Sequence, residues 1–203
     1  QPAADLEDGG LARRQGLRDA GGLEAGERVL VYGASGAVGT WAVQIAKALG
    51  AHVTAVCSTR SVDLLRSLGA DDVVDRTNRD FLEGAARYDL FLDLVGNRSL
   101  SHCKRVLNAG GRYVPCSAGA GDWVGPIARI ICGRVVFSVG GRRMNPFIQK
   151  LNAADLVTML QLIELRGIRP VVEKAWPLAE VGAALRHVGS QHSRGLNVVR
   201  IAS

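Results

Sequence analysis

The stretch Val29-Leu30-Val31-Tyr32-Gly33-Ala34-Ser35-Gly36-Ala37-Val38-Gly39, running on to Gly50, limits what this chain can fold into more than any other. Val29, Leu30 and Val31 form an apolar run without polar alternation, which suits a central parallel strand covered on both faces. Gly33, Gly36 and Gly39 follow at three-residue spacing. In a strand, turn and helix unit the first permits a tight exit, the second lets backbone approach a ligand, and the third lets the helix pack closely on the sheet. Val43, Ala46 and Leu49 then mark one apolar helical face, and Gly50 ends the helix. N–H groups at such a helix start lack intrahelical acceptors and carry partial positive charge. The spacing therefore points to a bound anion, with the pyrophosphate of a dinucleotide the leading candidate, although a turn of this kind can also be purely structural.

The second strand, 52–57, follows directly after Gly50-Ala51. Its end lies about twenty residues past the glycines, where a dinucleotide fold reads the ribose. No acid stands there. The residues are Ser58, Thr59 and Arg60, two hydroxyls and a guanidinium, which suit a 2′-phosphate better than a free 2′-hydroxyl and make NADPH the expected cofactor. Ser58 and Thr59 would equally serve as N-caps for a helix beginning near Ser61, and Arg60 as a solvated charge. A third strand at 72–75 puts Arg76 just past its end, either as a second cation for the phosphate or as an exposed loop arginine. Gly96, after a fourth strand at 88–94, permits close backbone approach on the far side of the topological switch.

The same alternation continues along the chain. Helices are expected at 11–22, 61–68, 81–86, 100–107 and 122–132, with a turn at 109–111, a fifth strand at 112–117, a loop at 118–121 and a sixth strand at 134–139. Leu156, Met159, Leu160 and Ile163 mark an amphipathic helix over 152–166, followed by a strand at 170–174, a helix from Pro177 to about Val188 and a closing strand at 195–201. The pattern implies an α/β fold, a Rossmann-type doubly wound parallel six-stranded sheet with helices on both faces and a C-terminal strand-helix-strand extension. Residues 1–22 read as a lead-in segment and 23–203 as the dinucleotide-binding domain, with the extension from about 168.

Several classes are set aside. The net charge of +6 is spread along the chain and carried mostly by arginine, without basic runs or interleaved aromatics, so no nucleic-acid partner is expected. No apolar run approaches the length of a membrane span, and the polar, acidic opening residues do not read as a signal peptide. A first residue other than Met suggests a fragment or processed chain. The four cysteines, Cys57, Cys103, Cys116 and Cys132, are widely spaced and read as free thiols of a reducing compartment, giving a cytoplasmic expectation. With no CxxC, no HExxH and no clustered histidines, no metal site is expected. The Tyr-x-x-x-Lys pair of a short-chain dehydrogenase is missing, because Tyr32, Tyr88 and Tyr113 are followed four positions on by Gly36, Leu92 and Ser117. No Gly-Lys-Ser/Thr closes the glycine loop, so a P-loop hydrolase fails too.

The glycine motif with Ala42 to Lys47, the 53–60 strand end, Leu68-Gly69-Ala70-Asp71, Tyr88-Asp89-Leu90 with Val95-Gly96-Asn97, Gly110-Gly111-Arg112-Tyr113, Pro177 to Val181 and Ser193-Arg194-Gly195 run in order along about residues 16–203. Together they resemble the zinc-independent quinone oxidoreductase branch of the medium-chain dehydrogenase/reductases. The resemblance implies NADPH-dependent hydride transfer to quinones, enones or related activated carbonyls without metal. It implies that Ser35, Ala37 and Val38 line the pyrophosphate and that Ser58 and Arg60 meet the 2′-phosphate. The loops after Leu94 and Ser117, with Val95, Gly96 and Ala118, would take the nicotinamide half. It also implies a homodimer paired through the sixth strand. This chain departs from the family pattern in having Ala37 for a frequent Gly, Arg76 for a frequent Tyr and Leu196 for a common Lys. The family's N-terminal GroES-like substrate domain has no counterpart in these residues. No catalytic residue is assigned, and a non-catalytic NADPH-binding or sensor module stays open as an alternative.

Overall fold

In the computed structural model, which describes residues 21–116, 124–146, 163–164, 166–189 and 194–201, strand β1 (Arg28–Tyr32) is buried from Val29 to Tyr32. Its side chains divide between two cores, Val29 and Val31 facing one and Leu30 and Tyr32 the other, as a strand covered on both faces requires. β1 lies at the centre of a six-stranded parallel sheet made with β2 (His52–Cys57), β3 (Asp72–Asp75), β4 (Tyr88–Asp93), β5 (Leu107–Pro115) and β6 (Arg143–Met144). The spatial order is β3-β2-β1-β4-β5-β6, so the chain reverses its direction of growth between β1 and β4. Register aligns Tyr32 with Val56 and with Asp93, and Cys57 with Asp75. The carboxyl ends of four strands are thereby brought to one edge, where such sheets bind ligands.

Helix α1 (Ala37–Ala48) leaves the glycine turn and buries every residue from Gly39 to Ala46, more than the single expected face. Ile168, from the segment before the extension's first strand, packs in the same core. Buried Gln44 donates Nε2 to the Arg169 carbonyl and accepts the Arg169 N–H at Oε1, both at 3.0 Å, so the amide pairs both polar groups of a passing backbone residue. α2 (Val62–Ser67) shares the core with α1 through Leu65. On the opposite face α3 (Leu100–Arg105) and α4 (Val124–Ser138) contribute Cys103 and Phe137, and Phe137 stacks on Tyr113 at 5.0 Å between ring centroids. The extension comprises β7 (Val172–Pro177), a 3₁₀ turn, α5 (Val181–Gly189) and β8 (Leu196–Arg200). β7 and β8 pair with each other in a separate parallel two-stranded sheet, so β7 does not cap the β6 edge.

Four expectations are corrected. Residues 134–139 are not a strand but, up to Ser138, the end of α4; the β-branched pair Val135-Val136 misleads, because Gly133 and Phe137 are buried at helical spacing while Ile131 and Val135 face out. The sixth strand of the sheet is instead β6, at Arg143–Met144, on the sheet's edge. Residues 81–86 form turns, not a helix, with Asp80 bonding the Leu82 N–H and Gly84 within the segment. The turn expected at 109–111 is part of β5, which starts at Leu107 and absorbs positive-φ Gly110 beside a register shift. The extension's first strand starts at Val172, not Pro170. The expected helix at 11–22, apart from Gly21 and Gly22, and the loop at 118–121 lie outside the described residues. So does most of the helix expected at 152–166, of which Ile163, Glu164 and Arg166 are helical.

The close approach of α1 to β1 depends on Gly39. A methyl group there would lie 2.3 Å from the Gly33 carbonyl oxygen and 2.5 Å from Ala34 Cα, both backbone. At Gly36 it would meet nothing nearer than 3.6 Å. Gly39→Ala should therefore cost about 1–3 kcal/mol or more, and Gly36→Ala no more than about 0.5 kcal/mol, in urea unfolding of the ligand-free chain. Equal losses for the two variants would disprove this division of roles.

Candidate functional site

A cleft of about 850 Å³ opens at the carboxyl edge of the sheet, lined from the glycine turn by Gly33, Ser35, Gly36, Ala37, Val38 and Gly39. β2 and the turn after it add Ser58, Thr59 and Arg60, β3 adds Arg76, and the exit of β4 adds Leu94 and Val95. Of the residues singled out from the sequence, these twelve come together. Gly96 stands outside the lining with its N–H turned to Asp93, and Ser117 and Ala118 lie outside the described residues.

The turn itself is built from backbone. Gly33 adopts φ +86°, open to glycine, and the Gly36 N–H closes the turn on the Gly33 carbonyl at 3.2 Å. A methyl group on Gly33 would come within 2.9 Å of Val95 Cγ2 and 3.3 Å of Leu94 Cβ, so the β4 exit rests directly on the turn. Gly36 is the N-cap of α1 and makes no side-chain cap bond, and the first turn of the helix carries no acid. The Thr40 N–H reaches the Gly36 carbonyl at 3.0 Å, while those of Ala37, Val38 and Gly39 precede any intrahelical acceptor. This end of α1 suits an anion.

At the other end of the cleft, parallel pairing of β2 with β3 brings Arg76 beside the Ser58-Thr59-Arg60 turn, and the Arg76 N–H donates to the Cys57 carbonyl at 2.8 Å. Ser58 makes no side-chain cap bond to the 3₁₀ turn that follows. Thr59 does not cap either. Its hydroxyl donates to Asp75 Oδ2 at 2.6 Å. Asp75 also accepts from the Thr77 N–H at 2.9 Å and from Asn78 Nδ2 at 2.9 Å, so this carboxylate, which sequence reasoning passed over, ties the β2 and β3 loops together. Those bonds, the one from Thr59 foremost, hold its carboxyl below the ordinary 3.8.

The β4 exit has its own buried anchor. Asp93, fully buried, accepts the Tyr113 hydroxyl at 2.7 Å on one oxygen and the N–H groups of Val95 (3.0 Å) and Gly96 (2.8 Å) on the other. Tyr32, Val56, Cys57, Thr77 and Asn97 complete the lining, with the Tyr32 hydroxyl bonded to Asn97 Oδ1 at 3.0 Å. Sequence reading missed these five, yet strand register was the available signal, since each lies at or just beyond the end of an aligned strand. Burial pushes the Cys57 thiol up to about 11, with Asp75 adding to the shift, and burial pushes Cys116 up to about 12. Both are therefore thiols at neutral pH and poor nucleophiles.

The residues present fit a dinucleotide: backbone donors at a glycine cradle for phosphates, two guanidiniums at one end, an apolar ledge of Leu94 and Val95 at the other. Among the described residues no group of three or more His, Cys, Asp or Glu side chains could hold a metal ion, and no helix is long and apolar enough to cross a membrane.

Comparison with known proteins adds the following. A family model described as zinc-binding dehydrogenase matches residues 68–199. The chain is 33% identical over 221 residues to the NAD(P)H oxidoreductase RTN4IP1, mitochondrial, of Bos taurus, across 98% of this chain and 55% of that protein. It is 49% identical over 197 residues to the trans-enoyl reductase pgmF of Aspergillus terreus, across 87% of this chain and 52% of that protein. The quinone oxidoreductase structure from Coxiella burnetii superposes with a TM-score of 0.84 at 26% identity, covering 98% of this chain and 60% of that one. The chain thus spans about half the length of the curated relatives it matches. The mitochondrial naming of the bovine protein and its mouse, zebrafish and human counterparts overturns the cytoplasmic expectation; free cysteines report a reducing environment and carry no address.

The depressed Asp75 carboxyl makes stability depend on pH with a definite sign. Its contribution is complete above the unfolded value near 3.8 and disappears as pH falls through the lower folded value. The stability difference between the wild-type chain and Asp75→Asn should be constant from about pH 7 to pH 5 and shrink below about pH 4. Chemical unfolding across that range measures it, and a difference indifferent to pH would count against the Asp75 network.

Proposed function

Because this chain belongs to the zinc-binding dehydrogenase family, within the medium-chain dehydrogenase/reductases, we propose that it is the nicotinamide-cofactor-binding part of an oxidoreductase that prefers NADPH. The whole protein, on this reading, reduces quinones, enones or related activated carbonyls without zinc. Support for the cofactor comes above all from the cleft, which is lined both by a glycine cradle at the start of α1 and by two arginines at the β2 and β3 ends. Residues 23–203 form the cofactor-binding domain, with 168–203 as its extension. The substrate-holding domain belongs to the part of such proteins that lies outside this chain, since the relatives are nearly twice as long.

Bound NADPH would supply the hydride. The chain's own residues bind and orient it. The N–H groups of Ala37 and Val38 hold the pyrophosphate, and Gly36, lacking a side chain, lets it approach. Ser58 donates its hydroxyl to the 2′-phosphate, and Arg60 and Arg76 neutralise it. Thr59, whose hydroxyl proton is already given to Asp75, stiffens that turn rather than meeting the phosphate. Leu94, Val95 and Gly96, with Ser117 and Ala118, serve the nicotinamide half, and the buried Asp93 keeps the first of these loops in place. No residue here is assigned a proton-transfer role.

Calorimetric titration tests the reading. NADPH should bind more tightly than NADH by about 1.5–3 kcal/mol, the size of a charge-assisted contact, and Arg60→Ala should remove most of that gap. Gly36→Ala, neutral toward folding, should weaken both dinucleotides about tenfold or more, because its methyl group occupies the phosphate approach. Equal affinity for NADPH and NADH in the wild-type chain would remove the 2′-phosphate assignment, and binding of neither would remove the cofactor assignment.

A further inference from the structure

We infer that Glu173, in the C-terminal extension, is a positioning residue for the cofactor cleft, acting through Arg194 on the turn that carries Arg60; the inference rests on the dinucleotide reading above. Glu173 stands on β7, and its side chain is 16% exposed. Its Oε2 accepts from the Arg194 backbone N–H at 2.9 Å, from His187 Nε2 at 3.1 Å and from Asn197 Nδ2 at 3.2 Å, and its Oε1 lies 3.8 Å from Arg194 Nε. Asn197 is itself held by Trp176 Nε1 at 2.8 Å. The carboxylate thus gathers one residue from α5 and two from the closing strand region around a single point of β7.

What it gathers reaches the cleft. Arg194 Nη1 donates to the Arg60 carbonyl at 3.2 Å. The next residue, Gly195, donates its N–H to the Ser35 carbonyl at 2.9 Å and bridges Gly36. Gly195 has φ +85°, and a methyl group on it would lie 2.3 Å from the Val171 carbonyl oxygen, so the closing segment is wedged between the lead-in to β7 and the glycine turn. Two of its contacts therefore end on residues that line the cleft, Ser35 and Arg60.

The two contacts differ in what fixes them. The Gly195 bond to Ser35 is backbone to backbone and is kept by the neighbouring β7 and β8 pairing. The Arg194 bond to Arg60 is made by a long side chain, whose guanidinium Glu173 aims. A glutamine in its place would keep one acceptor oxygen but turn an amide donor toward the other contact. Loosening Arg194 should then loosen the Arg60 turn, which on the proposed reading serves the 2′-phosphate, and leave the pyrophosphate cradle nearly unchanged. Glu173 would act on cofactor choice more than on dinucleotide affinity in general.

The test titrates the full chain and its Glu173→Gln, Arg194→Ala and doubly substituted forms with NADPH and with NADH. Glu173→Gln should weaken NADPH about fivefold and NADH less than about twofold, and the double variant should lose no more than Arg194→Ala alone, as residues acting in series do. Equal losses for the two cofactors, or additive losses in the double variant, overturn the proposal; Arg194→Ala alone makes the same comparison should Glu173→Gln fail to fold. Hydrogen exchange on the ligand-free chain supplies the independent readout. Protection of the Ser61 amide, which closes the turn on the Ser58 carbonyl, should fall in Glu173→Gln, while that of Val53, bonded to Asp71, stays the same. Unchanged Ser61 protection refutes the role of Glu173. Failure of the wild-type chain to bind either dinucleotide refutes only the cofactor reading, and the Ser61 readout still decides this one.

Discussion

The contact between Gly39 and the backbone of Gly33 and Ala34 sets the rest of this molecule in place. Its closeness fixes where α1 starts relative to the end of β1, and so where the first N–H groups of the helix point. Because Trp41, Val43, Ile45 and Ala46 are buried along the same helix, a displacement of that start would drag a large part of one core with it. The site's phosphate-facing backbone is thus held by packing, with each fully buried large apolar side chain contributing about 1.5–3 kcal/mol. A rigid cradle of this kind needs no side chain of its own, which is why the turn can consist of Gly, Ala and Ser.

Parallel register does the remaining assembly. Tyr32, Val56 and Asp93 are neighbours because three strands end in line, and the loops that follow them must then share one edge. Two buried or crosslinking carboxylates adjust those loops: Asp93 grips Val95 and Gly96 from inside the sheet, and Asp75 links Thr59 to Thr77 and Asn78 from outside. Their surroundings differ as their tasks do. Asp93 is fully buried among three donors, whereas Asp75 is open to solvent and takes its partners from exposed loops.

The parallel sheet and the glycine turn were legible in the sequence, and with the family resemblance so were twelve of the cleft residues, because spacing of glycines and short apolar runs are local signals that register then propagates. Other features were not. Val135-Val136 reads as strand, whereas the segment is helical and packs Phe137 on Tyr113, a long-range contact that no local pattern reveals. Gly110-Gly111 reads as a turn, and only pairing with β4 absorbs it into β5. Asp75 went unnoticed, and Asn97, though part of the motif quoted for the family resemblance, was not assigned to the cleft, because a polar residue at a strand end has no distinguishing pattern until its neighbour across the sheet is known.

The C-terminal extension marks the limit of that local reading most clearly. Its two-stranded sheet is separate from the main one, and by strand pairing alone it would count as an appendage. Its hydrogen bonds say otherwise. Gln44 of α1 holds the backbone of Arg169, Gly195 holds Ser35, and Arg194 holds Arg60, three attachments spread from the helix to both ends of the cleft wall. Since the partners are 125 to 134 residues apart for two of these, no sequence window contains both halves. The extension is part of the site's construction, and a piece of this fold ending before it would keep the glycine motif while losing groups that hold the motif's outer side.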